Sequence, residues 1–291
     1  SIKPDYAEAY NNMGNALQDQ GKLEEAIEAY NKALSIKPDY AEAFYNIGII
    51  LKDQGKLEEA IEAYNKALSI KPDYAEAYNN MGDSLQVLCK LEEAIEAYNK
   101  ALSIKPDYAE AYYNMGIILK DQGKYEKAIE AYNKALSIKP DYAEAYNNMG
   151  AILQMLCKLE QATEAYNKAL SIKPDYAEVY WNLHGISKSI SEAKKWIKQC
   201  LKVDPDHLKA KLIISALQFY EGNKSEFNKL LKSTLKEHPY IRSFAWAFSL
   251  PELPLLHFDR WALFDQMIKM SDKDRPFYEF GVWRGEAFKY L

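Results

Sequence analysis

Cysteine is scarce in this chain. Cys89, Cys157 and Cys200 are its only thiols among 291 residues. They are too few and too scattered for a disulfide framework or a zinc site, and they fit a reducing compartment, read here as the cytoplasm. Histidine is nearly as rare. His184, His207, His238 and His257 are dispersed, with no metal or triad spacing. The longest apolar stretches fall well short of a membrane span. No signal-peptide pattern is present. A basic excess is missing too: the formal charge is −5, which is not the footprint of a nucleic-acid binder. There is no initiating methionine. The chain starts at Ser1 inside a repeated phrase and stops abruptly, which reads as a fragment of a longer protein.

The charge that is present is uneven. Residues 1–176 hold 28 acidic and 19 basic residues, and residues 177–291 hold 14 and 18. The acidic part disfavours DNA, RNA and anionic lipid, and tolerates basic or neutral partners. That part is also repetitive. SIKPDYAEAY begins at Ser1, Ser35, Ser69, Ser103 and Ser137, and SIKPDYAEVY at Ser171, always 34 residues apart. A fixed period of this length is the signature of a solenoid. Counted from Ala7, the full copies are 7–40, 41–74, 75–108, 109–142 and 143–176.

Each copy encodes two helices. In the second copy Asp39-Tyr40-Ala41-Glu42 reads as a capping box. Phe44, Ile47, Gly48 and Leu51 follow at helical spacing, and Gly55 breaks the chain. Leu57, Ala60, Ile61, Tyr64, Ala67 and Leu68 mark the second helix. Pro72 stops it, having no N–H to give and clashing with the preceding turn. The small residues Gly48, Ala60 and Ala67 let helices approach closely, with Tyr and Leu filling the space beside them.

A sample copy is AEAYNNMGNALQDQGKLEEAIEAYNKALSIKPDY. Its large, Leu-like, Gly, Leu, Ala, aromatic, Ala and Pro positions resemble, in register, those of the tetratricopeptide repeat (TPR). The resemblance covers residues 1–176 and implies an all-α, right-handed superhelix of helix-turn-helix repeats. Residues 177–207 keep Tyr180, Leu183, Ala193 and Pro205 but are three residues short, with His184 in the glycine position. They read as a shortened sixth repeat. Residues 208–241, with Ser215 as the small residue and Pro239 as the stop, read as a degenerate seventh. Residues 177–241 are thus expected to hold two degenerate repeats, and each repeat to touch only its neighbours.

Positions 2, 6, 9 and 13 form a second stripe on the first helix, outside the core stripe. The family resemblance implies that it lines a concave groove. Position 6 is Asn12, Asn46, Asn80, Asn114, Asn148 and Asn182. An amide offers donor and acceptor together, which matches a peptide backbone. Each bond nets only about 0.5–1.5 kcal/mol, so several rungs would act at once, or the asparagines are simply solvated. The repeats of O-linked N-acetylglucosamine transferase look similar, and there the ladder grips substrate peptides. A finer pattern has a period of two repeats. Position 5 alternates Asn11, Tyr45, Asn79, Tyr113, Asn147, and position 9 runs Asn15, Ile49, Asp83, Ile117, Ala151. The pairs Tyr45 with Ile49 and Tyr113 with Ile117 form apolar steps that could accept ligand side chains. A charged clamp for carboxylate tails would need more cations than the stripe offers, which are Lys52 and Lys120. Cys89 and Cys157 replace the turn glycine in alternate copies and read as packed turn residues.

All five tryptophans lie beyond residue 176. Residues 242–291 read as a connector, an amphipathic helix and then DRPFYEFGVWRGEAFKYL. There a short strand runs into a glycine turn, the arrangement that lets backbone approach a cofactor. EFGVWRG resembles the opening motif of class I S-adenosylmethionine-dependent methyltransferases of the macrocin O-methyltransferase type. The resemblance covers only residues 277–291. It implies that Glu279, Gly281 and Gly285 face the cofactor's amino-acid end in an intact domain. One strand cannot make a sheet, so no catalytic residue, bound cofactor or metal is expected of these residues alone. The expectation is a peptide-binding scaffold, the substrate-recruiting arm of a larger methyltransferase. The alternative is a structural solenoid that associates end to end.

Overall fold

The computed structural model describes residues 5–238, together with 241, 242 and 245. The amphipathic helix and the glycine motif expected between residues 258 and 291 lie outside the described residues. Every regular element among the described residues is helical. The chain divides into two compact units, Ser1–Ile152 and Leu153–Leu291.

The first unit is a run of helical pairs. α1 (Asp5–Asp19) packs on α2 (Leu23–Ile36), α3 (Ala41–Asp53) on α4 (Leu57–Ile70), α5 (Ala75–Val87) on α6 (Leu91–Ile104), and α7 (Ala109–Asp121) on α8 (Tyr125–Ile138). α2, α4 and α6 each also touch the first helix of the next pair. α9 (Ala143–Met155) begins in this unit. The core is built from three helices at a time. Ala26, Tyr30 and Ala33 of α2 bury against Ala43 and Ile50 of α3, with Tyr10 and Leu17 of α1 beside them.

One close contact sets the spacing within each pair. A Cβ added at Gly48 would stand 2.5 Å from Cε1 of Tyr64, so only glycine lets α3 approach α4. Tyr30, Tyr64, Tyr98 and Tyr132 are all completely buried. Burying a large side chain of this kind contributes about 1.5–3 kcal/mol. The turns use the left-handed region. Gly21, Gly55 and Gly123 have φ of +74°, +75° and +72°, whereas Cys89 and Cys157 adopt φ of 58° and 57° in the same role.

Two local expectations change. No capping box closes α3: its N-cap is Tyr40, with no side-chain cap hydrogen bond. The Glu42 carboxylate is drawn instead to Lys71, 3.6 Å away. The pattern recurs as Lys105–Glu76 at 3.4 Å and Lys139–Glu110 at 3.6 Å. Each lysine also lies over the tyrosine that follows it, Tyr74, Tyr108 or Tyr142, at 4.3–4.5 Å from the ring centre. Cys89 and Cys157 are exposed rather than packed, and a Cβ at the equivalent Gly21, Gly55 or Gly123 would meet nothing within 4 Å.

In the second unit, α10 (Leu159–Ile172) is followed by α11 (Ala177–His184), α12 (Ile190–Val203), α13 (Leu208–Tyr220) and α14 (Ser225–Leu231), then a 3-10 turn at Thr234–Glu237. α11 packs on α12, α12 on α13 and α13 on α14. Here a cap does form: Ser189 Oγ accepts from the Glu192 amide at 3.1 Å, and Glu192 Oε2 accepts from the Lys188 amide at 2.9 Å. Ile197, Cys200 and Ala210 form one buried cluster, and Leu212, Ala216, Phe227 and Ile241 another. Burial raises the Cys200 thiol pKa to about 11, helped by Asp204 and Glu178.

Candidate functional site

The first helices of successive repeats touch one another, α1 with α3, α3 with α5 and α5 with α7. Their shared face carries positions 5, 6, 9 and 12. Position 6 is not a row of solvated amides. Asn46 Nδ2 donates to Asn11 Oδ1 at 3.2 Å and Asn15 Oδ1 at 3.1 Å. Asn80 Nδ2 donates to the Tyr45 hydroxyl at 2.9 Å. Asn114 Nδ2 donates to Asp83 Oδ1 at 2.8 Å, with Asn79 Oδ1 at 3.5 Å. Asn148 Nδ2 donates to the Tyr113 hydroxyl at 3.0 Å. Each of these asparagines thus reaches back 31 or 35 residues, to position 9 or 5 of the preceding repeat. Asn12 is exposed, and Asn182 lies in α11 of the second unit.

These contacts explain the alternation. Where position 5 is Asn, the residue is buried: Asn11, Asn79 and Asn147 are only 6–7% exposed. Where it is tyrosine, the ring forms a wall. Tyr45 lies 4.7 Å from Tyr74 and 6.0 Å from Tyr64, centre to centre, and Tyr113 lies 4.6 Å from Tyr142 and 5.8 Å from Tyr132. Ile49 packs partly buried in the same cluster as Tyr45 and Tyr64. Burial pushes the Tyr45 and Tyr113 pKa values up, with nearby Glu76 and Glu144 adding to it and the asparagine hydrogen bonds opposing.

The buried core tyrosines follow the same two-repeat rule, a feature the sequence reading missed. Tyr30 donates its hydroxyl hydrogen bonds to Asn15 and Gln18, at 2.8 and 3.0 Å. Tyr98 does so to Asp83 and Gln86, at 2.8 and 3.2 Å. In the alternate repeats positions 9 and 12 are Ile49 with Lys52 and Ile117 with Lys120. There the buried hydroxyls of Tyr64 and Tyr132 have no hydrogen-bond partner. Asp83 is half-buried, and desolvation raises its pKa against the opposing hydrogen bond from Tyr98 and the charge of Lys52.

In the second unit His184 is partly buried, and its pKa is lowered chiefly by desolvation. Its Nδ1 lies 2.7 Å from the Trp181 carbonyl oxygen, and the Trp181 ring is 4.3 Å from His184 and 5.0 Å from His207. Among the described residues no group of three or more His, Cys, Asp or Glu could hold a metal. Among them, too, no helix is long and apolar enough to cross a membrane. Glu279, Gly281 and Gly285 lie outside the described residues.

Comparisons with known proteins agree with the helix-pair architecture. A family model described as TPR repeat matches residues 14–55 and 48–86. A second, described as Tetratricopeptide repeat, matches residues 73–141 and 107–175. The crystal structure of MamA is 32% identical, with a TM-score of 0.52, over 57% of this chain and 96% of that one. YrrB, a TPR protein with an unusual peptide-binding site, is 26% identical over 58% of this chain and 88% of its own, with a TM-score of 0.50. PilF of Pseudomonas aeruginosa covers 72% of this chain and 97% of its own at a TM-score of 0.65. At 21% identity it speaks to the fold alone. No curated protein matches the chain.

Proposed function

The chain belongs to the tetratricopeptide repeat family, and we propose that it is a non-enzymatic scaffold that binds an extended protein segment on the first-helix face of its Ser1–Ile152 unit. The observation that carries this reading is the pair of aromatic walls at Tyr45 and Tyr113. Each is fixed by two neighbouring tyrosines and by an asparagine from the next repeat, and each adjoins an isoleucine, Ile49 or Ile117. Walls held in this way lose little further entropy when a ligand side chain packs on them. YrrB, a related repeat protein, has a peptide-binding site by its own description.

The asparagine ladder takes a different part from a plain row of rungs. Asn148 engages one amide hydrogen sideways and keeps its second N–H and its carbonyl oxygen for a peptide backbone, whereas Asn46 and Asn114, whose Nδ2 donates to two acceptors, keep the carbonyl oxygen. Peptide-array binding tests this directly. Binding that persists when Asn46, Asn80 and Asn114 are all changed to Ala removes the ladder from the mechanism. Persistence after Tyr45→Ala with Tyr113→Ala removes the face itself.

In a longer protein the array would present its bound segment to a methyltransferase domain begun by Glu279, Gly281 and Gly285, with S-adenosylmethionine as cofactor. This part rests on the short EFGVWRG motif alone. Equilibrium dialysis of the full-length protein with S-adenosylmethionine tests it, and absence of binding removes it.

End-to-end self-association is a second reading, favoured by the face of α1. Tyr6 is 58% exposed and Met13 48% exposed, whereas Met81 and Met115, at Met13's position in later repeats, pack against core clusters. Sedimentation velocity over a concentration series tests it: a monomer throughout excludes it.

A further inference from the structure

Two lysines occupy the same place in this face, two repeats apart, and one side chain separates their surroundings. Lys52 Nζ donates to Asn80 Oδ1 at 3.2 Å and lies 3.6 Å from Asp83 Oδ2. That carboxylate also accepts from the Tyr98 hydroxyl and Asn114 Nδ2, both at 2.8 Å. Lys120 is the equivalent of Lys52. It follows Tyr113 and Ile117 on α7 as Lys52 follows Tyr45 and Ile49 on α3, and Asn148 stands for Asn80. Where the third repeat has Asp83, however, the fifth has Ala151.

The ammonium of Lys120 is therefore poorly matched. Its ion pair among the described residues is with Asp121, the next residue in the chain, at 4.0 Å, and that carboxylate is 59% exposed while the lysine is only 27% exposed. An exposed pair at that distance contributes little. Glu110 shares α7 with Lys120 but lies ten residues away, about 15 Å along the helix, and pairs with Lys139. A second donor stands nearby. Tyr98 and Tyr30 send their hydroxyls to positions 9 and 12 of their own repeats. By the same register Tyr132 points its buried, unpartnered hydroxyl toward Ile117 and Lys120. The step is rich in donors and short of an acceptor.

We propose that the Lys120 step is a subsite for the carboxylate of an acidic side chain in the bound segment, whose apolar neighbour packs on Tyr113 and Ile117. Asp83 shows, within the same molecule, what a lysine at this position binds. The proposal rests on the reading of this face as a peptide-binding surface and adds a specificity: an apolar residue followed or preceded by an acidic one. The Lys52 step, which carries its own acid, has no such preference.

The test uses end-capped peptides drawn from the array, made in pairs with Glu or Gln beside a central leucine and titrated by fluorescence anisotropy. Capping removes terminal carboxylates as a competing source. The wild-type protein is expected to bind the Glu peptide about three- to fivefold more tightly than its Gln twin, and the difference should shrink as salt is raised. Lys120→Gln and, independently, Ala151→Asp should abolish the preference. Lys52→Gln should keep the preference. Equal binding of the two peptides by wild type, with both weakened by Tyr113→Ala, overturns the carboxylate subsite and leaves the peptide-binding face standing. A preference that survives both Lys120→Gln and Ala151→Asp also overturns the subsite. Binding of both peptides that is indifferent to Tyr113→Ala overturns the face and the subsite together.

Discussion

The first four repeats and the later helices solve the same packing problem with different residues. In α3 and α4 a glycine faces a buried tyrosine ring, Gly48 against Tyr64, with room for no Cβ. In α11 and α12 the glycine's place is taken by His184, and the tyrosine's place, by repeat register, falls to the smaller Ile197. In α13 and α14 the corresponding residues are Ser215 and Leu231. Gly with Tyr and Ser with Leu each set a small residue against a large one, whereas His with Ile does not, and that pair falls in the repeat that is three residues short. The 34-residue frame thus depends on a small–large match across each helix pair.

The largest effect is expected from breaking that match. Gly48→His should destabilise the protein by about 3 kcal/mol, at the upper end of overpacking. Adding Tyr64→Ile to it should recover only a part, because the isoleucine frees less room than the histidine fills. Urea denaturation of the two variants measures this, and a double variant no more stable than the single would show that the match is not what positions the helices.

A second comparison lies inside the array. Tyr98→Phe deletes a hydroxyl that donates to half-buried Asp83, and should cost about 1–3 kcal/mol by leaving that carboxylate short of a partner. Tyr64→Phe deletes a buried hydroxyl with no partner and should be neutral or slightly stabilising. Equal costs in the two variants would contradict the two-repeat rule.

The turns offer a smaller effect. Cys89→Gly should stabilise by about 1 kcal/mol, because a non-glycine residue at positive φ is strained and nothing packs around the equivalent glycines. Gly55→Cys should cost a similar amount. Differential scanning calorimetry on the pair checks both signs.

The smallest change at ordinary pH, and a growing one at high pH, comes from the core tyrosines. Burial lifts Tyr30 from its ordinary value of 10.0 to about 12, with Asp19 adding to the shift. The folded state thus holds that proton after the unfolded chain has lost it. Stability is complete below pH 10 and should fall as pH rises from 10 toward 12. Phenolate absorbance and helical circular dichroism should therefore change together in that window.

Much of the architecture was legible because the sequence repeats it. Gly48, Ala60, Tyr64 and Ala67 recur at fixed register, and periodicity alone marks them as core. Less of the candidate face was legible. That Asn46 bonds to Asn11 and Asn15 depends on how adjacent first helices meet, and no spacing within one repeat contains that information. Position 12 has no core signature, yet Gln18 and Gln86 receive buried tyrosine hydroxyls. The capping box at Asp39–Glu42 looked complete, but a lysine at the far end of α4 competes for the same carboxylate. The exposed thiols of Cys89 and Cys157 were missed for a related reason: replacement of a turn glycine says that φ is positive, not that the side chain is covered.

The central claim is that the first-helix face, with its Tyr45 and Tyr113 walls, receives an extended peptide. A photo-crosslinking residue placed at Ile49, at Ile117 or, as a control, at exposed Asn99 on the second-helix surface tests it most directly, with a biotinylated peptide selected on the array. The account predicts crosslinks from Ile49 and Ile117 and none from Asn99. Crosslinking from Asn99 with none from the two isoleucines would contradict it.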